Sequence, residues 1–397
     1  MANVLYISYD GLTDSLGQSQ IIPYLSALSG EGHDITIISF EKKENYFRNV
    51  ETIKLKLAST NIHWINKWYT KNPPIVSTLF DILICYLEAK KIHKLTQFTI
   101  IHCRGYISSL VGLKMKKYEN VKFIFDMRGW WPDEKIESGS WSNWFMRPVY
   151  SYFKKIELQL FSQADFIVSL TERGKHSIID LLPDTKEKIG VVPTCVDFKS
   201  FPPPSAEIRS NIRTKLNIPY NSKVFVYSGS LGGNYELNIL VDAYLAFKKS
   251  NDSAHLLILS KDSFQSEILD YFQNLEIPSV TIINASYKEV SDYLRSADIG
   301  LVFYKSGFSL VGRCPTKLGE YWASGLPVIS FMGVGDLDAL FVNYIGSGVL
   351  LSSEKANWPA EISNVDFADT EMLRYYAYDY FNLEKGVIFY DDVYNSL

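Results

Sequence analysis

The sequence predicts an α/β protein built from two parallel-sheet domains. Three observations carry this. Short, near-continuous apolar runs alternate along the whole chain with stretches of helical spacing. At 397 residues the chain is too long for one ordinary core, and two domains of roughly 200 residues are the natural division. Three consecutive prolines, Pro202 to Pro204, interrupt the pattern, and it restarts beyond them.

In the first half, strands are expected at Val4–Ser8, Ile35–Phe40, Thr99–His102, Lys122–Phe125 and Phe166–Leu170. Ser19–Ser29 carries apolar residues at helical spacing and is stopped by Gly30 and Gly32. In the second half, strands are expected at Val224–Ser228, Leu256–Ser260, Val280–Ile283, Ile299–Phe303 and Pro327–Phe331, with helices such as Leu237–Lys249 and Glu289–Ser296 between them. Ala164-Asp165 and Ala297-Asp298 open strands in the two halves and echo each other faintly. The expected domains are residues 1–200 and 201–380, with a closing helical segment, 381–397.

Composition narrows the function. The formal net charge is -4, which argues against a general affinity for nucleic acid. Met1 to Asp10 lacks the basic start of a signal peptide and reads as a strand. No apolar run reaches the length of a membrane span, and the nearest, Leu79–Leu87, contains Asp81. Cys85, Cys103, Cys195 and Cys314 are widely spaced, as reduced thiols of a cytoplasmic protein would be. The six histidines form no metal-binding cluster, which gives a structural metal little support, and no cofactor is expected.

Four segments could carry chemistry. The first is Gly312 to Ser330. Pro315 suits the first turn of a short helix, Gly325 suits the left-handed residue that ends it, and Pro327 prevents continuation. The start of such a helix favours an anion such as a diphosphate. Lys317 and Glu320 share a face, so they could serve a nucleotide's phosphates and ribose, or simply pair on the surface. The second is Val226 to Gly233, a strand running into glycine-rich backbone around Gly229 and Ser230. It lacks the spacing of a nicotinamide fingerprint. The third is the loop Asp10 to Gln20 with Gly17, at the carboxyl end of the first strand. The fourth is Phe123 to Glu134, where a buried strand ends in Asp126 and Arg128. Asp126 could orient a sugar hydroxyl and Arg128 meet a phosphate, or the two could brace the loop between themselves.

The segment around Lys317 resembles the donor-binding signature of glycosyltransferase family 4, retaining enzymes of the GT-B fold. That fold has two Rossmann-like domains facing across a cleft. In the family two glutamates lie eight positions apart and the second holds the ribose. Glu320 matches the second, whereas the first falls on Gly312, so that carboxylate is absent. A subgroup with a Pro-Thr-Lys signature is more similar, and it implies that Lys317 faces the donor phosphates, with Arg313 adding charge. Gly17 resembles the family's first-domain glycine, and Asp126-Met127-Arg128-Gly129 replaces a histidine often found near the donor sugar. The resemblance extends through Val192–Asp197 and implies a last helix that crosses back to the first domain.

The same resemblance implies a metal-independent, retaining transfer of a sugar from a nucleotide-diphosphate sugar to a saccharide or lipid-linked saccharide. Lys317, Arg313, Asp126 and Arg128 are the candidate catalytic residues. Gly17, Gly229, Ser230, Gly312, Thr316, Lys317 and Glu320 are the candidate donor-binding residues. Two other readings stay open: a non-catalytic sugar-nucleotide-binding subunit, which the absent glutamate motivates, and a sugar-nucleotide epimerase. The aromatic and basic stretch Trp130–Lys155, and the similar His63–Lys71, suggest peripheral contact with the inner face of a membrane, or else their rings are core or line a sugar-acceptor cleft.

Overall fold

The computed structural model describes residues 1–230, 235, 237–249, 251–260, 272 and 279–397. Two parallel sheets organise it. The first contains β1 (Asn3–Ser8), β2 (Asp34–Glu41), β3 (Ile62–Trp68), β4 (Ile100–Arg104), β5 (Lys122–Asp126), β6 (Phe166–Ser169) and β7 (Ile189–Val191), in the order β3-β2-β1-β4-β5-β6-β7. The second contains β8 (Val224–Ser228), β9 (His255–Leu259), β10 (Val280–Ile283), β11 (Ile299–Val302), β12 (Val328–Phe331) and β13 (Gly348–Leu351), in the order β10-β9-β8-β11-β12-β13. Together they form two parallel-sheet α/β domains, as the sequence predicts.

The apolar runs are continuous because both faces of each sheet are covered. Leu5 and Ile7 of β1 enter one core, whereas Val4 and Tyr6 enter the core on the opposite face. Val224 and Val226 of β8 divide from Phe225 and Tyr227 in the same way. Each such side chain, fully buried, contributes about 1.5–3 kcal/mol.

The faint echo between the halves has a structural counterpart. Asp165 donates its N–H to the Phe123 carbonyl and accepts the Phe123 N–H on its carboxylate, both at 2.8 Å. Asp298 makes the same pair of bonds with Val224, at 2.8 and 2.7 Å. Each aspartate clamps the start of the adjacent strand and also pairs with a cation, Lys116 or Arg213.

Several elements differ from the sequence reading. Ser19–Ser29 is two helices, Ser15–Gln20 and Ile22–Gly30, divided at Ile21 just ahead of Pro23. His63–Lys71 is mostly β3, the edge strand, with Trp64 donating to Ser39 Oγ at 2.8 Å. Within Trp130–Lys155, Trp130 and Phe153 belong to the first core and Trp131 packs on Trp141. Trp144, Phe145 and Tyr152 remain exposed.

The chain passes between the domains twice, side by side: Val196 N–H donates to Phe381 O at 2.8 Å. Val196 and Phe201 already pack in the second core. The helix Leu383–Ser396 buries Val387, Tyr390, Val393 and Tyr394 in the core of the first domain.

Candidate functional site between the domains

In each sheet the strand order reverses beside the first strand of its domain, between β1 and β4 and between β8 and β11. Open α/β sheets bind ligands at the carboxyl ends of strands flanking such a switch point.

The second-domain half is built on the helix Thr316–Ala323. Pro315 is its N-cap residue, one place earlier than the first helical turn. Gly325 follows it with φ +76°; Gly325 N–H reaches Trp322 O and Leu326 N–H reaches Tyr321 O, each at 2.9 Å, closing a Schellman motif. Tyr321 anchors the helix to β8 by accepting the Ser228 N–H at 2.8 Å. This fixes Lys317, which is only 4 % exposed. Its Nζ lies 4.0 Å from the centre of the Tyr227 ring and 4.2 Å from that of Tyr235, with Tyr304 farther out at 5.9 Å. It has no hydrogen-bond partner among the described residues. Gly229, at the end of β8, has φ +134°, and a β-carbon there would lie 3.3 Å from this amine.

Burial lowers the Lys317 amine to about 7, against the opposing pull of Glu320. Burial raises the Glu320 carboxyl to about 7, with Lys317 opposing it. Thr316 opens the helix, and Ser230 is exposed while its carbonyl accepts the Tyr227 hydroxyl. Leu231, Gly232 and Gly233 lie outside the described residues.

Arg313 lies over Tyr304, its guanidinium carbon 4.9 Å from the ring centre. It also reaches into the first domain, 3.2 Å from Glu134. Burial pushes the Glu134 carboxyl up, and Arg313 partly offsets this. Gly312 sits where the domains touch. A β-carbon on it would come within 2.7 Å of Trp130 Cδ1, and one on Gly174 within 3.2 Å of the Gly312 Cα. No side chain fits at 312 without displacing the indole, which is a physical reason for glycine there.

On the first-domain side, Asp126 and Arg128 form part of a buried cluster at the ends of β4 and β5. Asp126 lies 3.6 Å from Arg128, 3.7 Å from Arg104 and 3.8 Å from His102. Burial raises the Asp126 carboxyl, but Arg128, His102 and Arg104 outweigh it and hold the group below the ordinary carboxylate range. Burial lowers the His102 imidazole, and its Nδ1 is 2.7 Å from the Tyr394 hydroxyl. Gly17 packs against the loop ahead of it, where a β-carbon would meet Gly11 O at 2.2 Å.

Several residues missed by the sequence reading organise the site. Glu41, fully buried at the end of β2, accepts the Leu12 N–H at 2.7 Å and the Thr13 N–H at 3.0 Å, which fixes the loop after β1. A carboxylate closing an apolar strand was the available signal. Asp336 accepts the Glu172 and Arg173 N–H groups at 2.8 and 3.1 Å, so a first-domain helix start holds a second-domain carboxylate. Glu137 binds Ser309 across the same boundary.

Residues 23–200 match the model described as Glycosyltransferase Family 4, and residues 222–357 match Glycosyl transferases group 1. The chain is a GT-B glycosyltransferase. Solved GT-B structures align along the whole of it. A sucrose-phosphate synthase from Thermosynechococcus elongatus aligns with TM-score 0.70 at 14 % identity, covering 100 % of this chain and 99 % of that one. HepE from Anabaena, solved with UDP and glucose, aligns with TM-score 0.71 at 13 % identity over the full length of both chains. WaaG, a glycosyltransferase of lipopolysaccharide biosynthesis, aligns with TM-score 0.66 at 14 % identity, covering 97 % and 99 %. At such identities these neighbours speak for the fold. Comparison with curated proteins gives no match at the sequence level.

Proposed function

We propose that this glycosyltransferase moves a sugar, with retention and without a metal, from a nucleotide-diphosphate sugar to a saccharide or lipid-linked saccharide acceptor at the cytoplasmic face of a membrane. One observation carries the reading. Lys317 is a buried amine without a hydrogen-bond partner among the described residues, set beside Gly229 and near Arg313. A buried cation left unpaired is costly, and a diphosphate anion would supply its partner.

On this reading the diphosphate lies between Lys317, Arg313 and the start of the helix Thr316–Ala323. Glu320 accepts the ribose hydroxyls, and Gly229 and Ser230 let the backbone approach. The acceptor enters from the first domain, past the loop containing Gly17. Asp126 and Arg128 hold the floor of that side through their mutual pairing. As the sugar–oxygen bond breaks, negative charge grows on the leaving diphosphate, where the two cations stabilise it. The acceptor hydroxyl attacks the same face and gives its proton to the departing phosphate, so no pair of glycosidase-type carboxylates is needed. Contact between the domains keeps water from competing.

The test is a thermal-shift panel of UDP-, GDP- and dTDP-sugars, beginning with UDP-glucose because HepE was solved with UDP and with UDP-glucose. A donor at about 100 times its Kd should add about 2.7 kcal/mol. The best donor, given saccharide acceptors, should then yield a product of unchanged anomeric configuration. Stabilisation without turnover would support a non-catalytic subunit, donor consumption without acceptor would support an epimerase, and no stabilisation by any donor would defeat the donor site.

A further inference from the structure

The helix Val76–Thr96 is turned inside out relative to an ordinary surface helix. Its buried side includes Ser77, Asp81 and His93 alongside Ile82, Cys85 and Ala89. Its exposed side carries Val76, Leu79, Phe80, Leu83 and Leu87, each 50–60 % exposed. These five recur at intervals of three and four, so they form one unbroken stripe along three turns. Farther along the same stripe come Lys91 and Lys94, both exposed, and Lys71 stands exposed before its start.

The charges around the stripe are one-sided. Lys71, Lys91 and Lys94 make no ion pair among the described residues, whereas the nearby carboxylates are engaged. Glu88 pairs with Lys67 at 2.7 Å and Glu119 with Lys90 at 3.0 Å. Asp81 is buried and accepts from the Tyr9 hydroxyl and the Thr70 N–H. The surface therefore presents an apolar band whose flanking lysines form no ion pair among the described residues.

We infer that this face docks on an anionic lipid bilayer, with Val76–Leu87 in the interface plane and the lysines at the headgroups. Among the described residues no helix is long and apolar enough to cross a membrane, so the helix lies along the surface. A second copy of the chain fits less well, because it brings the same unpaired lysines. The inference deepens the membrane part of the proposed function and moves the contact away from Trp130–Lys155, whose Trp130 and Phe153 are core residues.

The experiment is co-sedimentation of the full chain with vesicles of phosphatidylcholine alone or mixed with phosphatidylglycerol. It is read without any sugar transfer, so it and the transfer reaction fail independently. Wild type should bind the anionic vesicles and not the neutral ones. Leu79→Glu combined with Leu83→Glu should reduce binding by more than about tenfold, as should Lys91→Glu combined with Lys94→Glu. All four side chains are exposed, and circular dichroism checks that each variant stays folded. No binding by wild type, equal binding to neutral vesicles, or unchanged binding by both variants overturns the inference. So does a lipid-free dimer in light scattering that Leu79→Glu with Leu83→Glu abolishes.

Discussion

Gly312 of the second domain rests on the indole of Trp130 in the first, so closely that a β-carbon would stand 2.7 Å from Cδ1. The contact lies where the domains meet beside Lys317 and Arg313, so its stiffness sets how precisely the two halves align.

Gly312→Ala should therefore destabilise the protein by about 1–3 kcal/mol, the usual cost of overpacking. Thermal unfolding measures it, and Trp130→Leu in the same chain should recover part of the loss. An alanine variant as stable as wild type would mean that the interface yields freely.

Lys317→Met should abolish turnover yet stabilise the free enzyme, by on the order of 1–4 kcal/mol, because a buried charge with no hydrogen-bond partner among the described residues is removed. Folding lowers the amine from 10.5 to about 7, so the penalty is fully present below pH 7 and fades as pH rises toward 10.5. The melting temperature of the variant should exceed that of wild type most at pH 6 and least at pH 9. A lower melting temperature at pH 6 would show the amine to be well paired.

Glu320→Ala should weaken nucleotide binding about tenfold or more, the loss of hydrogen bonds to a charged acceptor, with a smaller effect on kcat. Titration calorimetry with UDP and steady-state kinetics separate the two. Unchanged affinity for every nucleotide would remove Glu320 from the ribose site.

Transfer should persist in excess EDTA if Lys317 and Arg313 meet the phosphate charge, as proposed. Rates with and without chelator decide this, and activity lost to EDTA and restored by Mg²⁺ or Mn²⁺ would assign the charge to a metal.

The buried interior strands were legible because covering both faces of a sheet forces long apolar runs; β8 matches the sequence reading to the residue, and so does one edge strand, β10. The other three edge strands were not. β3 alternates little and leaves most of its side chains half-exposed, and β7 and β13 are only 3 and 4 residues long. At the site, the helix ending at Gly325 could be read from local backbone rules. The tyrosines around Lys317 could not, since Tyr227, Tyr235 and Tyr304 come from separate segments that only the sheet brings together. Nor could the grip of Asp336 on Glu172 and Arg173, which lie 164 and 163 residues away. The stretch around Trp130 reads equally as membrane contact, core or acceptor cleft, and only the packing around the indole places it, fully buried, in the core.

The helix Leu383–Ser396 completes the core of the first domain, yet follows the whole second domain in the chain. On the ribosome this reverses the usual order of maturation. The second domain emerges with its core residues complete, while the first waits with Tyr24 and His102 uncovered until Tyr390 arrives. During that interval the nascent first domain is the part that chaperones must shield.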